Sequence, residues 1–335
     1  MTKLFIRIML LVAFFAFSEF IFSLDNIFLK AGFGVGYDSN LLFSFPQYNT
    51  ELYLIKFGGY GKLGSDGVQF IAHVNSDSEV YNVYYNIKAG LGGDIVLQPT
   101  DEVYIQGGIS YLYMMDISET LLGNIEYRQD IGEYFTFKSL YGIENSTGIN
   151  GVTNESFLLN SFSAGVEFDL TSLIEAEVNL NDTFISYSRI FVDGKGLNNN
   201  GLKALLLLTF TPDYNCSIRI GGGYSYYDTF HTNLCIFSDT NSIYLYNTAN
   251  QYRFLASLNY EWSPNFKTTL SAETSLVSLV YHPVTEEVYN FMIQADYYFN
   301  SSWKIEIPLF YTLKNSTLLA SFDRWRVATV VYYLF

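Results

Sequence analysis

The chain is short of several things that folded domains often rely on. Cysteine occurs only at Cys216 and Cys235, too few for a disulfide framework. Histidine occurs only at His73, His231 and His282. No nucleophile motif, HExxH, P-loop or CxxC accompanies them, so no catalytic, metal or cofactor site is expected. Charged residues make up 15% of the sequence, low against a typical ~25%. Basic residues are the scarcer sign: 18 Lys and Arg face 33 Asp and Glu, and the net charge of −15 opposes nucleic-acid binding. Beyond the first two dozen residues, no apolar run approaches the ~20 that a membrane helix needs. Yet mean hydropathy is +0.14 and aromatic residues reach 18%. So apolar a chain, without spanning helices, must place those side chains somewhere.

The start has a layout of its own. Lys3 and Arg7 precede the apolar run 8–17, and Ser18 or Ser23 supplies a small residue at the exit. That is the pattern of a secretory signal peptide over residues 1–23, with cleavage after Ser18 (Ala16 two before it) or after Ser23. An uncleaved anchor is the competitor, since residues 4–22 are nearly long enough to span a bilayer. No cysteine lies near the exit, which excludes a lipid-modified N-terminus. Residues 24–335 then read as a single domain.

From there one format repeats: about ten residues of alternation, then a break. Leu29, Ala31, Phe33, Val35 and Tyr37 oppose Lys30, Gly32, Gly34 and Gly36. Tyr53, Ile55 and Phe57 oppose Leu54, Lys56, Tyr60 and Lys62, and Ile87, Ala89 and Leu91 oppose Lys88, Gly90 and Gly92. The period of two is that of strands with one apolar face. Segment 202–210 is apolar on both faces, so periodicity alone allows a helix. Its strand length between Gly201 and Pro212 favours a strand. The reading gives sixteen strands; a merged or missed hairpin would make it 14 or 18.

The breaks alternate in length. Short ones (64–67, 98–101, 171–173, 212–215, 263–266, 300–302) take turns with long ones (38–51, 144–155, 182–200, 228–250, 312–323). The chain ends on WRVATVVYYLF, residues 325–335. Trp325, Val327, Thr329, Val331, Tyr333 and Phe335 share one face, aromatic at both ends. A closed sheet with this face towards lipid satisfies every backbone donor and acceptor, and it accounts for the missing helices.

A terminal strand ending on Tyr333 and Phe335 resembles the closing strand of bacterial outer-membrane β-barrels, whose final aromatic residues form the insertion signal. Thr329 departs mildly from the apolar pattern. The segment Gly36-Tyr37-Asp38-Ser39-Asn40 also resembles the first strand and loop of such barrels. The resemblance implies an all-β, transmembrane, antiparallel up-and-down β-barrel in the outer membrane, with short periplasmic turns, long extracellular loops and both termini periplasmic. It further implies contact with outer-membrane lipid, engagement by the barrel assembly machinery and a homotrimeric state.

Size, signal peptide and mixed polar faces resemble general diffusion porins. That implies passive passage of small hydrophilic solutes, because ~16 strands leave an aqueous lumen where ~8 do not. The lumen charge candidates are Lys30, Lys56, Lys88, Arg219, Arg253, Lys304 and Arg326 against Glu167, Asp169, Glu175, Glu177, Glu261, Glu273, Asp296 and Glu306. Loops are expected to carry Asp38, Glu51, Asp77, Glu79, Asp116, Glu119, Asp193, Asp228, Asp239, Glu286 and Glu287. With the Glu167–Asp169–Glu175–Glu177 group near the periplasmic mouth, these motivate a mild cation preference. For any one wall charge, bracing the barrel is as good an account as selecting ions. No plug segment precedes the first strand, which argues against a plugged, energised transporter. The alternative function is a surface adhesin or host-interaction barrel acting through loops 182–200 and 228–250.

Overall fold

The computed structural model describes residues 26–39, 50–65, 67–81, 85–114, 118–148, 157–190, 196–229, 234–236, 243–245, 249–279, 285–317 and 321–335. The expected leader, 1–23, lies outside them. The strands are β1 (Asn26–Asp38), β2 (Thr50–Ser65), β3 (Val68–Tyr81), β4 (Tyr85–Thr100), β5 (Val103–Met114), β6 (Ser118–Ile131), β7 (Phe135–Gly148), β8 (Phe157–Thr171) and β9 (Ile174–Ile190). They continue as β10 (Gly196–Asp213), β11 (Cys216–Thr229), β12 (Leu234–Ile236), β13 (Ile243–Leu245), β14 (Ala249–Ser263), β15 (Phe266–Leu279), β16 (Thr285–Tyr298), β17 (Trp303–Ser316) and β18 (Phe322–Leu334). Sixteen of them close into one barrel in sequence order, with β11 beside β14 and β1 beside β18. The pairs β1/β18 and β11/β14 are antiparallel. The two short strands β12 and β13 pair only with each other. This is the all-β, sixteen-strand, up-and-down barrel that the alternation predicts. Segment 202–210 lies within strand β10.

Which face points outward follows from reach. Arg326 on β18 pairs with Glu79 on β3, across β1 and β2. Side chains so far apart on the sheet can meet only on its concave side. The opposite parity carries the exposed apolar residues, among them Phe33, Ile55, Ile109, Ile125, Phe254 and Ile293. Among the described side chains, charge on that outer parity is confined to strand ends: Glu51, Glu119, Asp182, Glu287 and Asp323 on the long-loop side, and Asp213, beyond a register shift, on the turn side.

Aromatic rings bound the charge-free belt. On the turn side Trp303 packs on Tyr333 at 4.9 Å between centroids, Tyr333 on Phe335 at 4.5 Å, and Tyr260 on Trp262 at 4.6 Å. On the loop side Tyr311 packs on Trp325 at 4.3 Å. Tyrosine hydroxyls there donate to polar ends of strands, Tyr53 to Glu51 at 2.9 Å and Tyr224 to Asn250 at 2.6 Å. Trp325 and Phe335 are ten residues apart on one strand and its end. At ~3.3 Å per residue and a tilt of ~40° that spans roughly 25 Å, the height of an outer-membrane apolar band.

The turns on the other rim are tight. Gly64 (φ 128°) and Gly67 (φ 94°) bracket the β2–β3 turn and Gly132 (φ 68°) lies in the β6–β7 turn, all in the left-handed region that favours glycine. On the loop side the strands run further than the expected ten residues, up to 18 in β10. Residues 182–200 are therefore mostly hairpin rather than loop, since β9 reaches Ile190 and β10 starts at Gly196. Segments 144–155 and 312–323 are shortened in the same way, by β7 to Gly148 and by β17 to Ser316. Beyond the lipid both faces of a strand meet water, so alternation fades while the hydrogen-bond ladder continues.

Neighbouring residues on β16 test the facing. Ile293→Arg, at mid-belt on the outer parity, is expected to lose about 2–4 kcal/mol of barrel stability. Gln294→Arg, on the inner parity, should lose far less. Urea titrations of the two variants refolded in lipid vesicles read the difference.

Candidate functional site

Among the described residues, the inner wall gathers most of the charge. Every described Lys and Arg side chain falls on the inner parity, and most have an acidic partner within reach. Lys304 Nζ lies 2.9 Å from Asp296 and 3.2 Å from Glu306. Arg253 donates to Glu273 at 2.6 Å, and Lys267 lies 2.7 Å from Glu261. Asp77 sits between Lys56, at 4.0 Å, and Lys88, its register partner on β4. Lys30 is held over the Tyr332 ring, 6.0 Å from its centroid. Pairs on a wetted wall contribute little each, about 0–1 kcal/mol, so their main effect is to leave the wall close to neutral.

One group breaks that balance. Glu167 faces Glu177, and Asp169 faces Glu175, across β8 and β9 near the turn rim. Carboxylate oxygens of Glu167, Glu175 and Glu177 lie within 4.8 Å of one another. The nearby cations are Lys138, paired with Glu167, and Arg219, whose Nη2 is 2.7 Å from Glu177. Two cations against four carboxylates leave a local negative excess.

Several wall residues escape the sequence reading. Asp38, Asp77, Glu79 and Glu286, expected in loops, stand on the inner parity of strands. Asp38 pairs with Arg324, Glu79 with Arg326, and Glu286 with Lys314 at 3.1 Å. Glu51, Glu119 and Glu287 do end their strands on the outer side. Asp116, Asp193, Asp239 and the side chain of Asp228 lie outside the described residues. Carrying the strand parity beyond the tenth residue would have found the misplaced acids. Lys138 was within reach of the same rule.

The inner face is also less uniformly polar than glycine, serine and amides suggest. Leu52, Leu54, Tyr81, Ala328, Val330 and Tyr332 form a buried apolar cluster on β2, β3 and β18. They meet across β1 because that strand has glycines inward. A Cβ on Gly34 would stand 2.8 Å from Val330 Cγ2, and one on Gly32 2.6 Å from the Tyr332 ring. The glycine stripe lets side chains of the flanking strands lie down on the wall and pack. The cluster adjoins the fully buried Asp38.

No family model matches the chain, and no curated protein matches it. Solved structures do share its fold. A bacterial polysaccharide outer membrane secretin aligns over 92% of this chain and 98% of its own, with TM-score 0.58 and 9% identity. Pseudomonas aeruginosa OpdQ aligns over 92% and 98%, with TM-score 0.56 and 10% identity. The outer membrane channel DcaP of Acinetobacter baumannii aligns over 92% and 96%, with TM-score 0.54 and 11% identity. At such identities the shared property is the fold, that of a closed transmembrane β-barrel.

Asp38 and Arg324 provide a check on the wall's energetics. Arg324 Nε donates to Asp38 Oδ1 at 2.9 Å, and Asp38 is fully buried. Asp38→Ala removes one partner of this buried ion pair and is expected to destabilise by about 3–5 kcal/mol. The double variant Asp38→Ala/Arg324→Ala should recover part of that loss. Urea midpoints of the refolded barrels measure both.

Proposed function

We propose that the chain is an outer-membrane channel through which small hydrophilic solutes diffuse passively. The observation that carries this is the division of one closed sheet into a charge-free outer belt and a charged, near-neutral inner wall. A sixteen-strand barrel is wide enough to hold water between such walls. The fold shared with solved outer-membrane channels supports the reading. Membrane and topology follow from it: residues 1–23 act as the export signal, and the rim bearing the tight turns and both strand termini faces the periplasm. Phe335 is then presented to the assembly machinery. Its amide donates to Leu29 O at 2.9 Å once β1 and β18 have closed.

Selection among solutes is by size, with a weak charge preference. Opposed pairs cancel along most of the wall, and the excess at Glu167, Asp169, Glu175 and Glu177 favours cations at the turn-side mouth. The preference should fade as salt screens it over ~8 Å at physiological strength.

Planar-bilayer recording tests both parts. The purified barrel is expected to insert as stable conductance steps; an absence of steps rules out the channel. In a salt gradient the reversal potential should show modest cation selectivity. Glu167→Gln/Glu175→Gln/Glu177→Gln should move it towards zero, and an anion-selective wild type refutes the charge assignment.

A further inference from the structure

Three residues far apart in sequence meet on the inner wall of β3, β4 and β5. His73 Nε2 lies 3.1 Å from Ser110 Oγ, and His73 Nδ1 lies 3.4 Å from Asp94 Oδ2. The sheet register sets His73, Gly92 and Ser110 in one row across three strands. Gly92 makes the meeting feasible, because a Cβ there would stand 2.8 Å from His73 Cε1 and nearer still to Ser110 Oγ. Asp94 occupies the next inward position on β4, and its side chain is only 13% exposed. The His73 side chain keeps 30% of its surface open to the interior.

The roles follow from the donors and acceptors. A carboxylate can only accept, so Asp94, 3.4 Å from Nδ1, favours the tautomer that carries its proton there. Nε2 is then the acceptor for the Ser110 hydroxyl proton. This is the order of functions in a serine–histidine–aspartate triad, which is recognised by geometry rather than by sequence position. The surroundings also suit an acyl group. Leu122 stands opposite Ser110 on β6, and Leu112 is the next inward residue on β5. Leu112 leans over Gly90 from one side and the Asn75 carboxamide from the other.

We propose that Ser110 is a nucleophile with His73 as its base, and that the site hydrolyses small water-soluble carboxylic esters with short acyl chains that enter the barrel. Ser110 Oγ bonds to the acyl carbon as the bond to the alkoxide breaks. The hydroxyl proton passes to His73 Nε2 and then to the departing alkoxide, releasing the alcohol. Water attacks the acyl–serine ester, its proton returns through His73 to Ser110 Oγ, and the carboxylic acid leaves. Asp94 is a positioning residue, acting through the imidazole.

The test uses the full-length barrel in detergent, with heat-modifiable migration showing that each variant is folded. A fluorophosphonate probe should modify Ser110, as mapped by peptide mass spectrometry, and p-nitrophenyl acetate should be hydrolysed by the same sample. Ser110→Ala and His73→Gln should abolish both signals, while Ser163→Ala, elsewhere on the wall, keeps them. Asp94→Asn should lower kcat by roughly 100-fold or more with KM little changed, as expected of a wrongly oriented base. A folded wild-type barrel that leaves Ser110 unmodified overturns the proposal. Modification that survives His73→Gln overturns it as well.

Discussion

The seam between β1 and β18 is the constraint from which the remaining features follow. It pairs the two ends of the sheet from Lys30 opposite Leu334 to Asp38 opposite Arg326. In hydrocarbon an open sheet edge would leave a row of amides and carbonyls without partners, at several kcal/mol each, so the sheet closes or does not insert. Closure then fixes the two faces for the whole chain. Because the side-chain period is two, a slip of one residue at any hairpin would turn charged residues into lipid. The absence of basic side chains from the outer parity of the described strands is the mark of that register.

Closure also explains the glycines of β1. Where the first and last strands meet, Gly32, Gly34 and Gly36 leave a trough that Leu54, Val330 and Tyr332 fill from either side. The same device recurs where Leu207 lies over Gly221 and where His73 reaches Ser110 over Gly92. Inward glycine serves less to bend the strand than to let next-neighbour strands touch. Salt links and apolar contacts can then stitch the wall across more than one hydrogen-bond ladder.

Strand number, order and facing were legible in the sequence because alternation reports burial directly. Phe33, Val35 and Tyr37 set against Gly32, Gly34 and Gly36 need no further information. Strand length was not legible. Past Leu180 the residues Asn181, Asp182 and Thr183 are polar on both sides, and the pattern fell silent although the ladder continued to Ile190. The same silence sent Asp38, Asp77, Glu79 and Glu286 to loops. Contacts were legible only in part. Parity places Arg326 and Glu79 on one face, but their pairing depends on barrel curvature. The apolar cluster was hidden because Leu52 and Leu54 look inward beside outward Tyr53 and Ile55, which erases the contrast that periodicity reads.

The long β9–β10 hairpin has a consequence for the entrance. Asp182 is the outward charge that closes the charge-free belt, Phe184 is the next outward residue, and β9 continues for eight residues past Asp182. At ~3.3 Å per residue and ~40° of tilt, the hairpin stands roughly 20 Å above the lipid on that side. This is more than twice the ~8 Å over which charge on the lipid surface is felt at physiological salt. On that flank the barrel opens into bulk solution like a flue above a roofline, so arriving ions are at bulk concentration whatever lipid surrounds it.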